Sequence, residues 1–124
     1  MLIQVHPKEP ADKSKLVNTR VSYLYRDAAN WKQHNECVVR GCITEDQKRV
    51  IMDSLIDGTD FVPAKVGLPE TRFETRNDDD VDTFELYEDG LEPTASKPDV
   101  DIAIADLTAA FAAMKDRWLE PEAR

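Results

Sequence analysis

The chain has 124 residues, a hydrophobic fraction of 41% and a formal net charge of −9 at pH 7. This length suits a single domain with one ordinary hydrophobic core, and no apolar run approaches the ~20 residues that a membrane-spanning helix needs. The first residues, MLIQVHPKEPADKSK, have only a very short apolar stretch before the charges begin, which excludes a secretory signal and favours the cytoplasm.

The negative charge lies in the second half of the chain. Residues 1–62 contain nine acidic and nine basic residues, whereas residues 63–124 contain sixteen acidic and seven basic residues. A surface built from the second half would repel nucleic-acid phosphates and anionic membranes. The distribution of charge therefore favours a basic protein as a partner.

The first part of the chain predicts an arm followed by two strands. Residues 1–18 contain two prolines and scattered lysines, which favours a flexible arm or a short edge strand. Residues 16–26 (LVNTRVSYLYR) alternate between apolar and polar side chains, which is typical of a strand. Residues 34–42 predict a second strand, and the seven-residue link 27–33 suggests a broad loop between antiparallel neighbours.

The segment ITEDQKRVIMDSLIDG predicts a helix with a defined beginning and end. Thr44 and Gln47 have the spacing of a capping box, and Gly58 is expected to end the helix. The proline-containing stretch after it predicts a fixed irregular loop that begins with a short strand. Residues 81–87 then alternate as a strand does, with Phe84 and Leu86 on one side.

The remaining residues predict a linker and a second helix. The stretch LEPTASKPDVD predicts the linker. Residues 101–118 predict a helix with Leu107, Phe111, Met114 and Trp118 on one face. The order β-β-α-loop-β-α predicts an α+β fold with a three- to four-stranded antiparallel sheet and two helices packed on one face. The predicted domain covers residues 19–119, and residues 120–124 form a tail.

The segments SYLYRDAANWKQHNE and FVPAKVGLP, together with ITEDQ and DDDVDTFELYED, carry a resemblance. They resemble a group of small uncharacterised bacterial and mobile-element proteins over about residues 19–118. The resemblance implies a compact stand-alone domain and brings no activity with it. In that group the acidic run continues with a histidine and an aromatic residue, where this chain has Val81 and Thr83. The resemblance therefore carries no histidine-based metal site over to this chain.

The stretch NDDDVDTFELYEDGLE is the main candidate for a functional surface. It contains eight carboxylates and no basic residue: Asp78, Asp79, Asp80, Asp82, Glu85, Glu88, Asp89 and Glu92. On an extended chain, alternate residues lie about 6.6 Å apart, and carboxylates at that scale suit a groove made for a phosphate backbone. The alternative is a solvated acidic edge that keeps the protein soluble and prevents aggregation between strands.

Metal binding fits this chain less well. A calcium loop would place Asp78, Asp80, Asp82 and Asp89 at its ligand positions, but Thr83 occupies the position where the sharp turn needs glycine. A zinc site would need His34, Cys37 and Cys42, with His6 as a candidate fourth ligand, yet His34 and Cys37 should point to opposite faces of their strand. Two cysteines are too few for a disulfide scaffold, so both are expected to be reduced thiols, with Cys37 packed beside Val39.

No motif for a catalytic nucleophile or a phosphate-binding loop is present, and the chain has only four glycines. An enzyme would have to use Asp80, Asp82 and Glu85 with a divalent ion. Eight neighbouring carboxylates are expected to stay solvated, whereas a general acid or base needs a desolvated group.

The aromatic residues include candidates for direct contact with a partner protein. Trp31, in the polar segment AANWKQ, is the best candidate for an exposed anchor in a protein interface. Tyr23 and Tyr25 are interpreted mainly as core or sheet-surface residues, with Tyr25 as a second candidate for the anchor. They would stack on bases only with a basic stripe beside them, which the sequence lacks.

The sequence therefore predicts a small acidic, non-catalytic protein that binds another protein. The specific hypothesis is an inhibitor of a basic nucleic-acid-binding protein, of an anti-defence or anti-CRISPR-like kind. The alternatives are a divalent-metal-dependent hydrolase or nuclease that uses the acidic cluster, and an immunity protein or antitoxin. The main hypothesis predicts no cofactor, no direct contact with nucleic acid and no membrane contact, and it leaves the oligomeric state open. A dimer through the sheet edge near residues 35–41 is one arrangement that it allows.

Overall fold

The computed structural model describes residues 15–71 and 83–120. The elements, in chain order, are β1 (Asn18–Arg26), β2 (Lys32–Arg40), α1 (Glu45–Asp53), β3 (Asp60–Phe61), a 3-10 turn (Pro63–Val66), β4 (Phe84–Thr94) and α2 (Ile104–Met114). The four strands form one sheet in the order β2-β1-β4-β3, with antiparallel neighbours throughout. This is the α+β fold that the sequence predicts.

β1 lies between β2 and β4 and follows the predicted alternation. Val21, Tyr23 and Tyr25 are buried on one face, and the residues between them are half-buried on the other face. The link to β2 is shorter than predicted, because the strands stay paired up to Arg26 and Lys32. The loop contains five residues, 27–31, and is closed by a hydrogen bond from the backbone N–H of Asp27 to the carbonyl of residue 31 at 3.0 Å.

α1 begins where the sequence predicts and ends earlier. The Thr44 side chain accepts a hydrogen bond from the backbone N–H of Gln47, and the Gln47 side chain accepts one from the backbone N–H of Thr44. The helix ends at Asp53, whereas Gly58 was expected to end it. Gly58 lies in a turn and has a φ of 78°. Asp60, two residues later, forms an isolated β-bridge with Ile56.

β4 is longer than the predicted strand and takes in part of the predicted linker. It continues to Thr94, and its second half pairs with β1 from Val21↔Leu91 to Asn18↔Thr94. The sequence LEPT therefore belongs to the sheet, because pairing with β1 outweighs the weak local preference of a proline-containing stretch. The structure does not describe residues 81 and 82, the first two residues of the predicted strand.

α2 ends at Met114, four residues before the predicted end. Lys115 leaves the helical conformation, and Asp116 has a φ of 64°. Trp118 still lies in the core, where its indole N–H donates to the carbonyl of Ser54 at 2.7 Å. Trp118 therefore reaches the core from the turn that follows α2.

Both helices pack on the face of the sheet that carries Tyr23 and Tyr25. Phe61 is central to this core, with ring centroids 5.4 Å from Phe111 of α2 and 5.4 Å from Tyr23 of β1. Ile51 and Leu55, from α1 and the turn after it, belong to the same cluster of buried residues. Among residues 15–71 and 83–120, no helix packs on the other face of the sheet, which carries charged side chains and which we call the open face.

The outer edge of β2 is covered at its C-terminal end. The backbone N–H of Val38 donates to the carboxylate of Asp99 at 2.8 Å, and the backbone N–H of Arg40 donates to the carbonyl of Ile102 at 3.0 Å. Since these edge groups are already bonded, a dimer through the strand edge near residues 35–41 is not available at residues 38–40.

Among the described residues, no helix is long and apolar enough to cross a membrane. Residues 1–14 and 121–124 lie outside the described residues, and so do most of the predicted N-terminal arm and C-terminal tail.

Candidate functional site

The predicted acidic surface falls partly within the described residues. Asp78, Asp79, Asp80 and Asp82 lie outside them, so their predicted role stays a prediction. The other four acidic residues all lie on β4: Glu85, Glu88, Asp89 and Glu92. The strand does not present these four side chains alike, because it is interrupted in its middle.

Glu85 is bound to its neighbours on the open face of the sheet. Its carboxylate accepts a hydrogen bond from Nε of Arg26 at 2.8 Å and one from the hydroxyl of Tyr87 at 2.6 Å. The hydrogen bond from the Arg26 guanidinium is the main reason that the pKa of Glu85 lies below its usual range. This carboxylate is therefore ionised but already paired, and it offers little to a partner.

Glu92 is also paired. Arg20 on β1 contacts it at 3.1 Å and approaches Glu36 on β2 at 3.6 Å. The same guanidinium donates to the hydroxyls of Thr94 and Ser96 at 3.1 and 3.2 Å. Only 16% of the Arg20 side chain is exposed, so this network stabilises the open face of the sheet more than a fully exposed pair would.

The remaining two acidic residues lie in a large bulge of β4. Tyr23 pairs with Leu86 and Val21 pairs with Leu91, so the four residues 87–90 stand opposite the single residue Ser22. We call residues 87–90 the acidic bulge. Its first three residues, Tyr87, Glu88 and Asp89, are exposed, whereas Gly90 is buried. Glu88 and Asp89 form no ion pair within the described residues.

Gly90 allows the acidic bulge to return to the sheet. A Cβ atom at this position would lie 2.3 Å from the carbonyl oxygen of Ser22 and 3.1 Å from that of Tyr87. Any other residue would therefore push the bulge away from β1. Bulges of this kind redirect side chains and frequently lie at functional sites.

A cleft of about 530 Å³ separates the acidic bulge from α1. Glu88 lines one side, and Lys48, Arg49 and Met52 line the other. Lys48 lies 3.7 Å from Glu45, and Arg49 lies 2.9 Å from Asp46, so the cations of α1 are paired within the helix. The cleft therefore runs between the acidic bulge and α1, and its lining residues carry no excess of positive charge.

The two aromatic candidates have different environments. Trp31 is 69% exposed, and the carboxylate of Asp27 holds its loop by accepting hydrogen bonds from the backbone N–H groups of Ala29 and Trp31, each at 2.9 Å. Tyr25 is only 2% exposed, and its ring centroid lies 5.1 Å from that of Phe84. Tyr25 is therefore a core residue, and its side chain is not exposed for contact with a partner.

Among the described residues, His34 and the two cysteines do not form a metal site. His34 is exposed and Cys37 is buried on the opposite face of β2, as the odd spacing predicts. Burial raises the pKa of the Cys37 thiol to about 12, which makes it unreactive. Within residues 15–71 and 83–120, no group of three or more His, Cys, Asp or Glu side chains is placed to hold a metal ion. His6 lies outside those residues.

The sequence alone did not predict the bulge, the hydrogen bond from Tyr87 to Glu85 or the close approach of Gly90 to β1. The signal available was the dipeptide Asp89-Gly90 inside an alternating segment, since an isolated glycine in a strand often marks a bulge. The number of inserted residues depends on the register with β1, which the sequence of β4 does not contain.

No family model, no curated protein and no solved structure matches this chain.

Proposed function

We propose that this protein is a non-catalytic protein-binding protein that engages a basic partner through the acidic bulge and Trp31. The observation that supports the proposal best is the bulge itself. It raises two carboxylates, Glu88 and Asp89, out of a strand whose other described carboxylates are paired with arginines.

Trp31 supports the same proposal from another element. A large aromatic side chain that is 69% exposed, on a loop held by side-chain hydrogen bonds, loses little conformational entropy when a partner covers it. Tryptophan is enriched among the residues that dominate binding energy at protein interfaces. Carboxylates accelerate association with a basic surface, and an aromatic anchor slows dissociation.

In the specific form of the proposal, the partner is a basic nucleic-acid-binding protein, located in the cytoplasm, and this protein inhibits it by occupying its phosphate-binding groove. An immunity protein or antitoxin would act by the same contacts. The metal-dependent enzyme has less support, because Glu85, one of its three proposed ligands, is bound to Arg26.

The experiment uses immobilised protein and a cell extract, with proteins retained at about 50 mM salt identified by mass spectrometry. The expected retained protein is basic, is released at about 300 mM salt, and is displaced by a DNA or RNA oligonucleotide that competes for its groove. The test variant carries Glu88→Lys and Asp89→Lys together, which reverses the charge of the bulge and leaves the paired Glu85 and Glu92 intact. It should lose the retained protein.

Binding kinetics with the purified partner then separate the two contacts. The double variant should slow association about tenfold or more, and Trp31→Ala should speed dissociation about thirtyfold, the effect of losing about 2 kcal/mol. The proposal is wrong if the double variant retains the same proteins as the natural chain, or if retention does not respond to salt.

A further inference from the structure

A small apolar pocket lies at the end of the molecule where α1 and α2 finish. Its volume is about 270 Å³. Two turns form it, the one after α1 and the one after α2, with these lining residues: Leu55, Ile56, Asp57, Asp116, Trp118 and Leu119. We call it the end pocket. It is smaller than the usual 300–1,000 Å³ of small-molecule sites, so its size suits one or two side chains of a peptide.

The end pocket exposes a leucine on a turn that is held in place. Leu119 is 73% exposed, although its neighbour Trp118 is only 2% exposed. The ammonium group of Lys65 donates to the carbonyls of Trp118 and Glu120 at 2.8 and 2.6 Å. The backbone N–H of Arg117 also donates to the carbonyl of Met114. The exposed leucine is therefore presented by an anchored turn.

Two carboxylates flank this apolar surface. Asp57 and Asp116 are both exposed, and both have left-handed backbone conformations, with φ of 51° and 64°. Neither forms an ion pair within the described residues, whereas the nearby Asp53 is paired with Lys115 at 2.8 Å. The end pocket therefore combines four apolar lining residues with two carboxylates, and protein interfaces likewise combine an apolar centre with polar surroundings.

The end pocket is close to the acidic bulge. Asp57 lines the pocket, and the next residue, Gly58, lines the cleft that Glu88 closes on its other side. The end pocket and the cleft are therefore adjacent on the surface. Asp57 and Asp116 at the pocket and Glu88 at the cleft favour a partner segment with positive charges.

We propose that the end pocket receives an aliphatic side chain of a basic partner segment, with lysine or arginine residues on both sides of that side chain pairing with Asp57 and Asp116. This inference rests on the proposed function and adds a specificity to it. The partner must carry an aliphatic residue between basic residues, and positive charge alone does not suffice.

The test is a titration of ¹⁵N-labelled protein with an acetylated seven-residue peptide that has a central leucine between arginines, followed by NMR at about 50 mM salt. The expected result is a set of saturable shifts at the amides of the end pocket. A peptide with glycine in place of the leucine should bind about tenfold more weakly. Shifts that spread evenly over acidic residues, with the same affinity for both peptides, would overturn the inference.

Two variants test the apolar and the charged contacts. Leu119→Lys should weaken binding at least tenfold, and its matched control is Val17→Lys, which changes another exposed apolar residue. The double variant Asp57→Asn and Asp116→Asn should weaken binding about five- to thirtyfold. Asparagine tolerates left-handed backbone, so the turns are expected to keep their shape. The control for charge is Asp106→Asn on α2.

Other outcomes distinguish this inference from the proposed function. If the Glu88→Lys and Asp89→Lys variant loses the partner while the peptide fails to bind the natural chain, the function stands and the end pocket is excluded. If the peptide binds but the bulge variant keeps its partner, the bulge is excluded and the end pocket stands. Light scattering that shows a dimer, converted to a monomer by Leu119→Lys, would assign the pocket to a second copy and overturn the inference.

Discussion

Replacing Gly90 with alanine should destabilise the protein although it adds a single methyl group. The new Cβ would lie 2.3 Å from the carbonyl oxygen of Ser22, and real Cβ atoms essentially never lie within 3.0 Å of a non-bonded heavy atom. The difference requires a displacement of at least about 0.7 Å. Because the obstacle is backbone of β1, which is paired on both sides, no side chain can move to relieve the contact.

The expected cost follows from two opposing effects. Overpacking in a rigid environment costs about 1–3 kcal/mol, and the upper part of this range applies because backbone must move. Alanine also lowers the conformational entropy of the unfolded chain, which stabilises the folded state by about 0.4–1 kcal/mol. The free energy of unfolding should therefore fall by about 2 kcal/mol, and Tm should fall by about 6–10 °C for a chain of this size.

Urea unfolding followed by circular dichroism, with a thermal scan, measures both quantities. The matched control is Asp89→Ala, an exposed change in the same bulge that should stay within about 0.5 kcal/mol of the natural chain. If Gly90→Ala is equally neutral, the close approach of the bulge to β1 does not constrain the fold, and the reasoning is refuted.

Three further changes test the other contacts. Glu85→Gln should lower the free energy of unfolding by about 1–2 kcal/mol at pH 7. Because the folded-state pKa of Glu85 is lowered, its contribution is present above the unfolded value of about 4.3 and is lost as pH falls through the folded value. The difference in urea stability from the natural chain should shrink between about pH 7 and pH 3, and a constant difference would contradict this account. Ellman's reagent should label Cys42 rapidly and Cys37 only on unfolding, since burial raises the pKa of Cys37 to about 12; Cys42→Ser should remove the fast phase. Trp118→Phe removes the indole N–H that bonds a buried carbonyl at 2.7 Å, so it should cost about 1–3 kcal/mol and lower Tm in a thermal scan, and an unchanged Tm would exclude that bond.

The candidate binding surface was predictable only in part. An exposed aromatic was expected at Trp31, because a tryptophan in a polar loop has no apolar neighbours to cover it, and the structure places it there at 69% exposure. The acidic run was expected to present its carboxylates together. The structure instead pairs Glu85 and Glu92 with arginines of β1 and places Glu88 and Asp89 in the bulge of β4, where they have no register partner on β1. Those arginines lie about 60–70 residues earlier in the chain, so no local pattern reveals the pairing.

Local chemistry determined the parts of the fold whose interactions lie within a few residues. The capping box of Thr44 and Gln47 specified the beginning of α1, and alternation specified the buried face of β1, because both depend on neighbours close in sequence. Tertiary structure alone decided that LEPT is strand, that α2 ends at Met114 before Trp118, whose apolar position the sequence did predict, and that four residues bulge opposite Ser22. Each of these depends on the position of a distant segment, and the energy gained by packing or pairing with that segment exceeds the local preference of the residues involved.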